Sequence, residues 1–176
     1  MACETLDGGI TLGCDNNISG VKRIKFAEKA NVTYTALSSP GDEINSFTMA
    51  GSPVAKFYEF EFNKNTSSYT EELTSDQAAG RDLYVQTINL VLNRREKTKR
   101  DTILLLAKRK DLVCIVTDQN DINWYFGASN GLNLTTNAGG SGVAKTDANQ
   151  YVLTFVGEEP NPANTVTTAA VTAVTA

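Results

Sequence analysis

The sequence predicts a mainly β fold with one packed α-helix and a long projecting hairpin. Short segments of alternating apolar and polar residues recur along the 176-residue chain, separated by turns rich in Gly, Asn and Pro. One alternating segment is unusually long, and residues 98–110 have helical character instead. The contents of 41% apolar and 20% charged residues are typical of a folded domain. We therefore expect one domain over residues 1–163 and a C-terminal Thr/Val/Ala arm over residues 164–176.

The first half of the chain contains several candidate strands. Val21 to Ala27 places Ile24 and Phe26 on one face and Arg23 and Lys25 on the other, which predicts a half-buried strand. The other segments with β-rich or alternating composition are Val32 to Ala36, Ile44 to Met49 and Lys56 to Phe62.

A long hairpin is predicted in the middle of the chain. Residues from Asp82 to Arg94 alternate over a run well above the usual strand length of about 5–6 residues. The preceding segment, Asn63 to Gly80, is polar and turn-rich, and Tyr69 and Leu73 are its apolar residues spaced to face one side. A strand of this length needs a long partner, so we expect the hairpin to add strands to a neighbouring subunit.

A helix is predicted next, with Thr98 as N-cap and Asp101 three positions later. Five consecutive apolar residues, Ile103 to Ala107, cover nearly its whole circumference. One side is therefore expected to pack on the sheet and another to contact a second subunit. Lys108 to Lys110 lie at the helix end that favours cations.

The last third returns to β-structure. Leu112 to Thr117 is continuously apolar and predicts a central strand, and Asp118 to Asp121 predicts a hairpin turn into Trp124 to Gly127. Gln150 to Gly157 predicts another strand. The tail that follows is either an added strand or a flexible arm.

Charge is distributed unevenly along the chain. Eight of the sixteen Lys and Arg residues lie between Arg94 and Lys110, although the net charge is −4. A basic patch on an otherwise acidic molecule favours head-to-tail self-association, which generates rings or filaments. The residues predicted to form the assembly interface are Arg94, Arg95, Lys99, Arg100, Tyr69, Glu71, Glu72 and Leu73. A solvated helix end and a nucleic-acid contact are the alternatives for the basic segment, although the pI of about 4.9 disfavours nucleic acid as the main partner.

No catalytic or cofactor-binding motif competes with assembly. The chain has no His, which excludes Ser-His-Asp and Cys-His arrangements, and its three Cys residues lack metal-ligand spacing. Inert thiols are the main expectation, with a Cys3–Cys14 bridge as an alternative. Gly139 to Thr146 departs from a phosphate-binding loop, and Asp118 to Asn123 departs from a calcium loop. We expect no enzyme, no cofactor, no metal and no membrane partner.

The order of elements in the C-terminal half resembles a known class of proteins. A basic helix is followed by LVCIVTD, a turn, WYFGASNGL, GGSG and DANQYVLTFVGEEP, and the chain opens with CETLDGGITLGC. These features resemble virion structural proteins of tailed bacteriophages, particularly tail tube and neck or baseplate ring proteins. The resemblance implies a β-sandwich or barrel flanked by a helix, a hairpin or loop that reaches adjacent subunits, and no catalytic residues.

The functional expectation is a structural subunit that self-assembles into rings or a tube of a phage tail or related injection tube, forming a conduit for DNA. Its expected partners are copies of itself and other virion structural proteins, with transient passage of DNA. No signal peptide is recognised, so we expect assembly in the host bacterial cytoplasm and a final location in the virion. The alternatives are a capsid-surface or neck/connector protein and, from another class, a nucleic-acid-binding β-barrel.

Overall fold

The structure is a computed structural model that describes residues 9–10, 16–37, 43–76, 78 and 80–176. In chain order, the elements in these residues are β1 (Val21–Glu28), β2 (Val32–Ala36), β3 (Ile44–Met49), β4 (Tyr58–Phe60), β5 (Ser68–Asp76), β6 (Arg81–Asn93), α1 (Lys97–Lys108), β7 (Leu112–Asp118), β8 (Asn123–Phe126), β9 (Asn133–Gly140), β10 (Gln150–Glu159), β11 (Asn164–Val166) and α2 (Thr168–Val174). A single 3-10 turn, Lys29–Asn31, joins β1 to β2. The predicted mainly β class is confirmed.

The strands form two separate sheets. One has seven strands in the order β2-β3-β11-β8-β7-β1-β4, and the other has four strands in the order β5-β6-β10-β9. All neighbours are antiparallel except β3 and β11, which are parallel. The sheets do not close on themselves, so the barrel alternative is wrong.

Both sheets contribute to one hydrophobic core. Ile24 and Phe26 of β1 and Cys114 of β7 belong to the same buried cluster as Ile88 of β6 and Phe155 of β10. The rings of Phe26 and Phe155, which come from different sheets, have centroids 4.4 Å apart. Alternation in β1, β6 and β10 follows from this arrangement, because each of these strands turns one side chain in two toward the shared core.

A second core covers the opposite face of the seven-stranded sheet. Val113 and Ile115 of β7 pack there with Val171 and Val174 of α2. Since β7 is apolar on both faces and lies between β8 and β1, the prediction of a central strand at Leu112 to Thr117 is confirmed. The same core explains why Lys25, expected on a solvated face of β1, is buried instead. Its Nζ donates to Thr175 Oγ1 at 3.1 Å.

The tail of residues 164–176 packs on the domain. Its first residues add β11 to the sheet, which was one of the two alternatives, and the rest form α2, which the sequence did not predict. Thr167 caps α2 by accepting a hydrogen bond from the Ala170 N–H at 3.3 Å. Thr, Val and Ala show little polar contrast, so no periodicity indicated this short helix.

The predicted helix is confirmed, with a different start. α1 begins at Lys97 after Glu96, and neither Thr98 nor Glu96 provides a side-chain cap. Arg94 has a left-handed φ of 61°, which turns the chain out of β6 and starts the helix earlier than the capping pattern suggested. Ile103 and Leu106 are buried, whereas Leu104 and Leu105 remain 51% and 53% exposed.

The predicted strand over Lys56 to Phe62 is reduced to the three residues of β4 at a sheet edge. Phe60 and Phe62 pack against the core as expected, but Tyr58 is exposed. The alternating residues from Asp82 to Arg94 correspond to β6, whose 13 residues make it the longest strand described. Cys3 and Cys14 lie outside the described residues.

Candidate assembly surfaces

Of the predicted interface residues, Leu73 and Arg94 lie toward opposite ends of the four-stranded sheet. Leu73 pairs with Tyr84 near the start of β6, whereas Arg94 directly follows the end of β6. Arg94 lies ten positions after Tyr84, a span of about 33 Å at ~3.3 Å per residue. The sequence predicted both residues but did not predict this separation.

The basic end comprises residues 94–110, with eight Lys and Arg residues against Glu96 and Asp101. Arg94 donates its backbone N–H to the Asn149 carbonyl at 2.7 Å, which fixes the turn. The side chains of Arg94 and Arg100 are exposed and form no hydrogen bond or ion pair with the described part of the chain. These two guanidinium groups are therefore available to a partner.

The other two predicted basic residues have intramolecular contacts. Lys99 Nζ donates to the Asn93 carbonyl at 2.6 Å and lies 3.0 Å from the Glu96 carboxylate. The Arg95 guanidinium lies over the Tyr151 ring, 5.2 Å from its centroid. Lys99 thus fastens the start of α1 to the end of β6, and Arg95 covers the edge of the core.

The acidic tip comprises Glu72, Leu73, Asp76, Asp82 and Glu158. Glu72 of β5 and Glu158 of β10 both pair with Val85 from opposite sides, so their carboxylates lie in one row on one face. β10 ends opposite Tyr84, and the β5–β6 hairpin continues for three more residues, Arg81 to Leu83. The hairpin therefore extends about 10 Å beyond the neighbouring strand at ~3.3 Å per residue.

Two predicted residues of β5 make contacts within their own chain. Glu71 Oε2 accepts hydrogen bonds from Gln86 Nε2 at 2.9 Å and from the Ala163 N–H at 2.7 Å. Tyr69 packs against the shared core with its ring centroid 5.3 Å from that of Phe126, and burial raises the pKa of its hydroxyl. Glu71, Glu72 and Leu73 are all exposed, Leu73 at 55%, and the Glu72 carboxylate forms no hydrogen bond or ion pair with the described residues.

An apolar groove lies between α1 and β4, and sequence reasoning missed it. We call it the α1–β4 groove. Its volume is about 610 Å³, within the ~300–1,000 Å³ that is usual for binding pockets. Apolar lining residues include Phe26, Phe60, Leu92, Leu105 and Leu106. The sequence feature that could have indicated the groove is the apolar circumference of α1, because it leaves Leu105 exposed.

A smaller depression of about 210 Å³ lies on the other side of α1, where Leu104 and Ala107 meet Tyr151. The helix therefore has an exposed leucine on each flank. Burial of Ile103 and Leu106 confirms that one side of the helix packs on the sheet, whereas contact of another side with a second subunit stays a prediction.

The chemical motifs weighed in the sequence are used by the fold itself. Asp118 Oδ1 accepts the N–H groups of Asn120 and Ile122 at 2.8 and 2.9 Å, which closes the β7–β8 turn. Asp147 Oδ2 accepts the N–H groups of Val143 and Ala144 at 2.7 and 2.8 Å, and these bonds lower its pKa. The amides that a phosphate would need in this loop are thus occupied by a carboxylate.

Neither the adjacent carboxylates Glu158 and Glu159 nor Cys114 offers a reactive site. Both oxygens of the buried Glu159 accept backbone N–H groups of residues 129–131, whereas Glu158 is exposed at the tip. Cys114 is completely buried, and burial raises its pKa well above the usual thiol value. In the described part of the chain, no group of three or more His, Cys, Asp or Glu residues is arranged to hold a metal ion.

None of the described helices is long and apolar enough to span a membrane. Comparison with known proteins found no matching family model, no matching curated protein and no matching solved structure.

Proposed function

We propose that this chain is a structural subunit that self-assembles head to tail into rings or a tube of a phage tail or related injection tube. The observation that carries the proposal is the separation of the basic end and the acidic tip by the length of β6. In this proposal the two sheets, which share one core, form a β-sandwich, and the β5–β6 hairpin is the projecting element.

Opposite charges at opposite ends lead to a specific mode of association. When the acidic tip of one copy contacts the basic end of the next, each newly added copy still presents one free end of each kind. Such a heterologous contact repeats until a ring closes or continues as an open filament. A dimer that joins two acidic tips or two basic ends is disfavoured, because it would bring like charges together.

A conduit for DNA is compatible with the charge that remains. Outside residues 94–110, acidic residues outnumber basic residues by 18 to 8. If the basic ends are covered by neighbours, the assembled surface is predominantly acidic and repels the phosphate backbone, so DNA passes without adhering. The same subunit contact would also suit a neck/connector or capsid-surface protein with other virion proteins as partners.

Nucleic-acid binding at the basic end is the second candidate function, because eight cations within seventeen residues also suit phosphate contacts. Charge reversal at the basic end separates the two candidates, because it should abolish self-association under the first and DNA binding under the second. Arg94→Glu together with Arg100→Glu removes cations that have no intramolecular partner in the described structure. Lys64→Glu together with Lys145→Glu is a matched control with the same change in net charge, because both side chains are exposed and form no ion pair with the described residues.

The test measures self-association by sedimentation velocity over a concentration series at low and high salt, with electron microscopy of the concentrated protein and DNA gel shifts in parallel. Assembly predicts rings or tubes that weaken with salt, loss of association in the Arg94/Arg100 variant, and retention in the control. A wild-type protein that stays monomeric at every concentration contradicts the proposal. Salt-sensitive DNA binding that only the Arg94/Arg100 variant loses, without self-association, favours the second candidate.

A further inference from the structure

We propose that the α1–β4 groove of one copy receives the β5–β6 hairpin of the next copy, with Leu73 as its apolar anchor. This inference rests on the proposed function and goes beyond it by naming the receptor and the residue that enters it. Three independent features of the described structure support the pairing: two open strand edges, two exposed apolar surfaces and complementary charge.

The first feature is the position of β4 and β5 in their sheets. β4 is the edge strand of the seven-stranded sheet, and β5 is the edge strand of the four-stranded sheet. Each edge therefore presents backbone N–H and C=O groups that no neighbouring strand in its own sheet satisfies. Antiparallel or parallel addition of β5 to β4 of the next copy would pair these groups, as in other strand-addition complexes.

The second feature is the match of apolar surface. Leu73 is 55% exposed at the acidic tip, while Tyr58 and Leu105 of the groove are 58% and 53% exposed. Polar residues surround Leu73 in β5, which is exposed over most of its length. The tip of one copy therefore offers one apolar side chain, and the opposite end of the next copy offers one apolar groove. Burial of Leu73 in that groove removes exposed apolar surface from both copies.

The third feature is charge. Glu72 and Asp82 near the anchor carry no ion pair among the described residues, and the groove adjoins the eight cations of the basic end. Of the three cations that line the groove, Lys56 has no ion pair among the described residues, whereas Lys99 pairs with Glu96 and Arg109 with Glu28. The acidic lining residues Glu28 and Glu59 are neutralised within the chain, by Arg109 at 3.0 Å and by Arg23 at 3.9 Å. Glu61 is the remaining acidic group on the rim.

Among the described residues, no other segment of the same chain fills the groove, so we assign the occupant to another copy. The hairpin of the same chain points away from the groove, since its tip and the basic end are separated by the length of β6. Residues 16–20 lie near the start of β1, where the Ile18 N–H donates to Asn120 Oδ1 at 2.9 Å. The groove residue Phe26 lies toward the other end of β1.

Cysteine cross-linking of the full-length chain tests the pairing. In a Cys3→Ser, Cys14→Ser background, Leu73→Cys is mixed with a second protein that carries Leu105→Cys, and disulfide formation is followed under mild oxidation by mass spectrometry of the linked peptides. Ile122→Cys replaces Leu105→Cys in a matched control, because Ile122 is also exposed but lies at the β7–β8 turn. We expect the Leu73–Leu105 linkage to dominate and to decline at high salt.

A second variant measures the anchor without cross-linking. Leu73→Ser removes an exposed side chain, so the monomer should remain folded while the association constant falls about 10- to 100-fold, the equivalent of losing one buried leucine. Ile122→Ser should leave association unchanged.

Each outcome separates this inference from the proposed function. Assembly that persists with Leu73→Ser, or cross-links to position 122 as readily as to position 105, overturns the groove assignment and leaves head-to-tail assembly intact. A wild-type chain that never associates overturns both. Linkage of Leu73 to another molecule of the Leu73→Cys variant, in place of Leu105, would show a tip-to-tip contact and overturn the pairing.

Discussion

Glu159 provides the most direct test of how the fold supports the acidic tip. This carboxylate is 2% exposed at the end of β10 and accepts the N–H groups of Ser129 at 2.8 Å, Asn130 at 2.8 Å and Gly131 at 3.1 Å. Glu159 therefore holds the β8–β9 loop against the end of β10, where Glu158 belongs to the acidic tip. The neighbouring Glu158 is exposed, which makes it a matched control for removal of the same side chain.

Glu159→Ala should destabilise the protein by about 3 kcal/mol. Hydrogen bonds to a charged group contribute ~1.5–3 kcal/mol each, and a buried donor without a partner costs ~1–3 kcal/mol. Ser129 and Asn130 are exposed, so water can replace two of the bonds, whereas Gly131 is buried and its N–H has no ready substitute. Glu158→Ala should change stability by less than about 0.5 kcal/mol.

The free energy of unfolding is measured for both variants by urea denaturation followed with the single tryptophan. Equal losses in the two variants, or no loss for Glu159→Ala, would refute the assignment of the three hydrogen bonds. A change in the slope with urea would indicate a different unfolded or native state rather than loss of these bonds.

Three further predictions concern the two cores. Gly157→Ala should cost ~1–3 kcal/mol, because its Cβ would lie 2.7 Å from the Gly131 carbonyl oxygen, while Gly140→Ala meets no atom within 4 Å and should be neutral in the same urea assay. Burial lowers the pKa of Lys25 below 10.5, so the stability of the wild-type protein should rise with pH between the lowered pKa and 10.5. Lys25→Met should remove this rise and should match or exceed the wild-type stability at pH 7. An unchanged dependence of stability on pH in the variant would contradict the burial of Lys25. In a Cys3→Ser, Cys14→Ser background, Cys114 should resist thiol reagents until the protein unfolds, and rapid labelling of the native protein would show that its core is open.

Much of the fold was predictable because alternation reports burial directly. β6, β10 and β7 follow their predicted ranges closely, since each is long and has a consistent apolar pattern. The sequence did not reveal that α2 forms a second core over the far face of β7. For that reason Lys25 was expected to be solvated and the tail was left as a strand or an arm.

The uneven distribution of charge was predictable from the sequence, but the contacts of individual residues were not. The concentration of cations in residues 94–110 is visible in the sequence, and the side chains of Arg94 and Arg100 have no partner among the described residues. Lys99 and Glu71 were assigned to the interface for their charge alone, but both satisfy groups within their own chain. Such contacts depend on which strands pair, and local sequence does not specify that pairing.

The central claim is that unlike ends of identical subunits contact each other, and complementary charge reversal tests it most directly. One variant carries Arg94→Glu and Arg100→Glu, which leaves its basic end with six cations against four carboxylates; the other carries Glu72→Lys and Asp82→Lys, which replaces two of the four carboxylates of its tip with cations. Sedimentation velocity should show that each variant alone fails to associate, whereas an equimolar mixture recovers salt-sensitive assemblies of alternating subunits. If the mixture stays monomeric under conditions in which the wild-type protein assembles, or if either variant assembles alone, the head-to-tail account is contradicted.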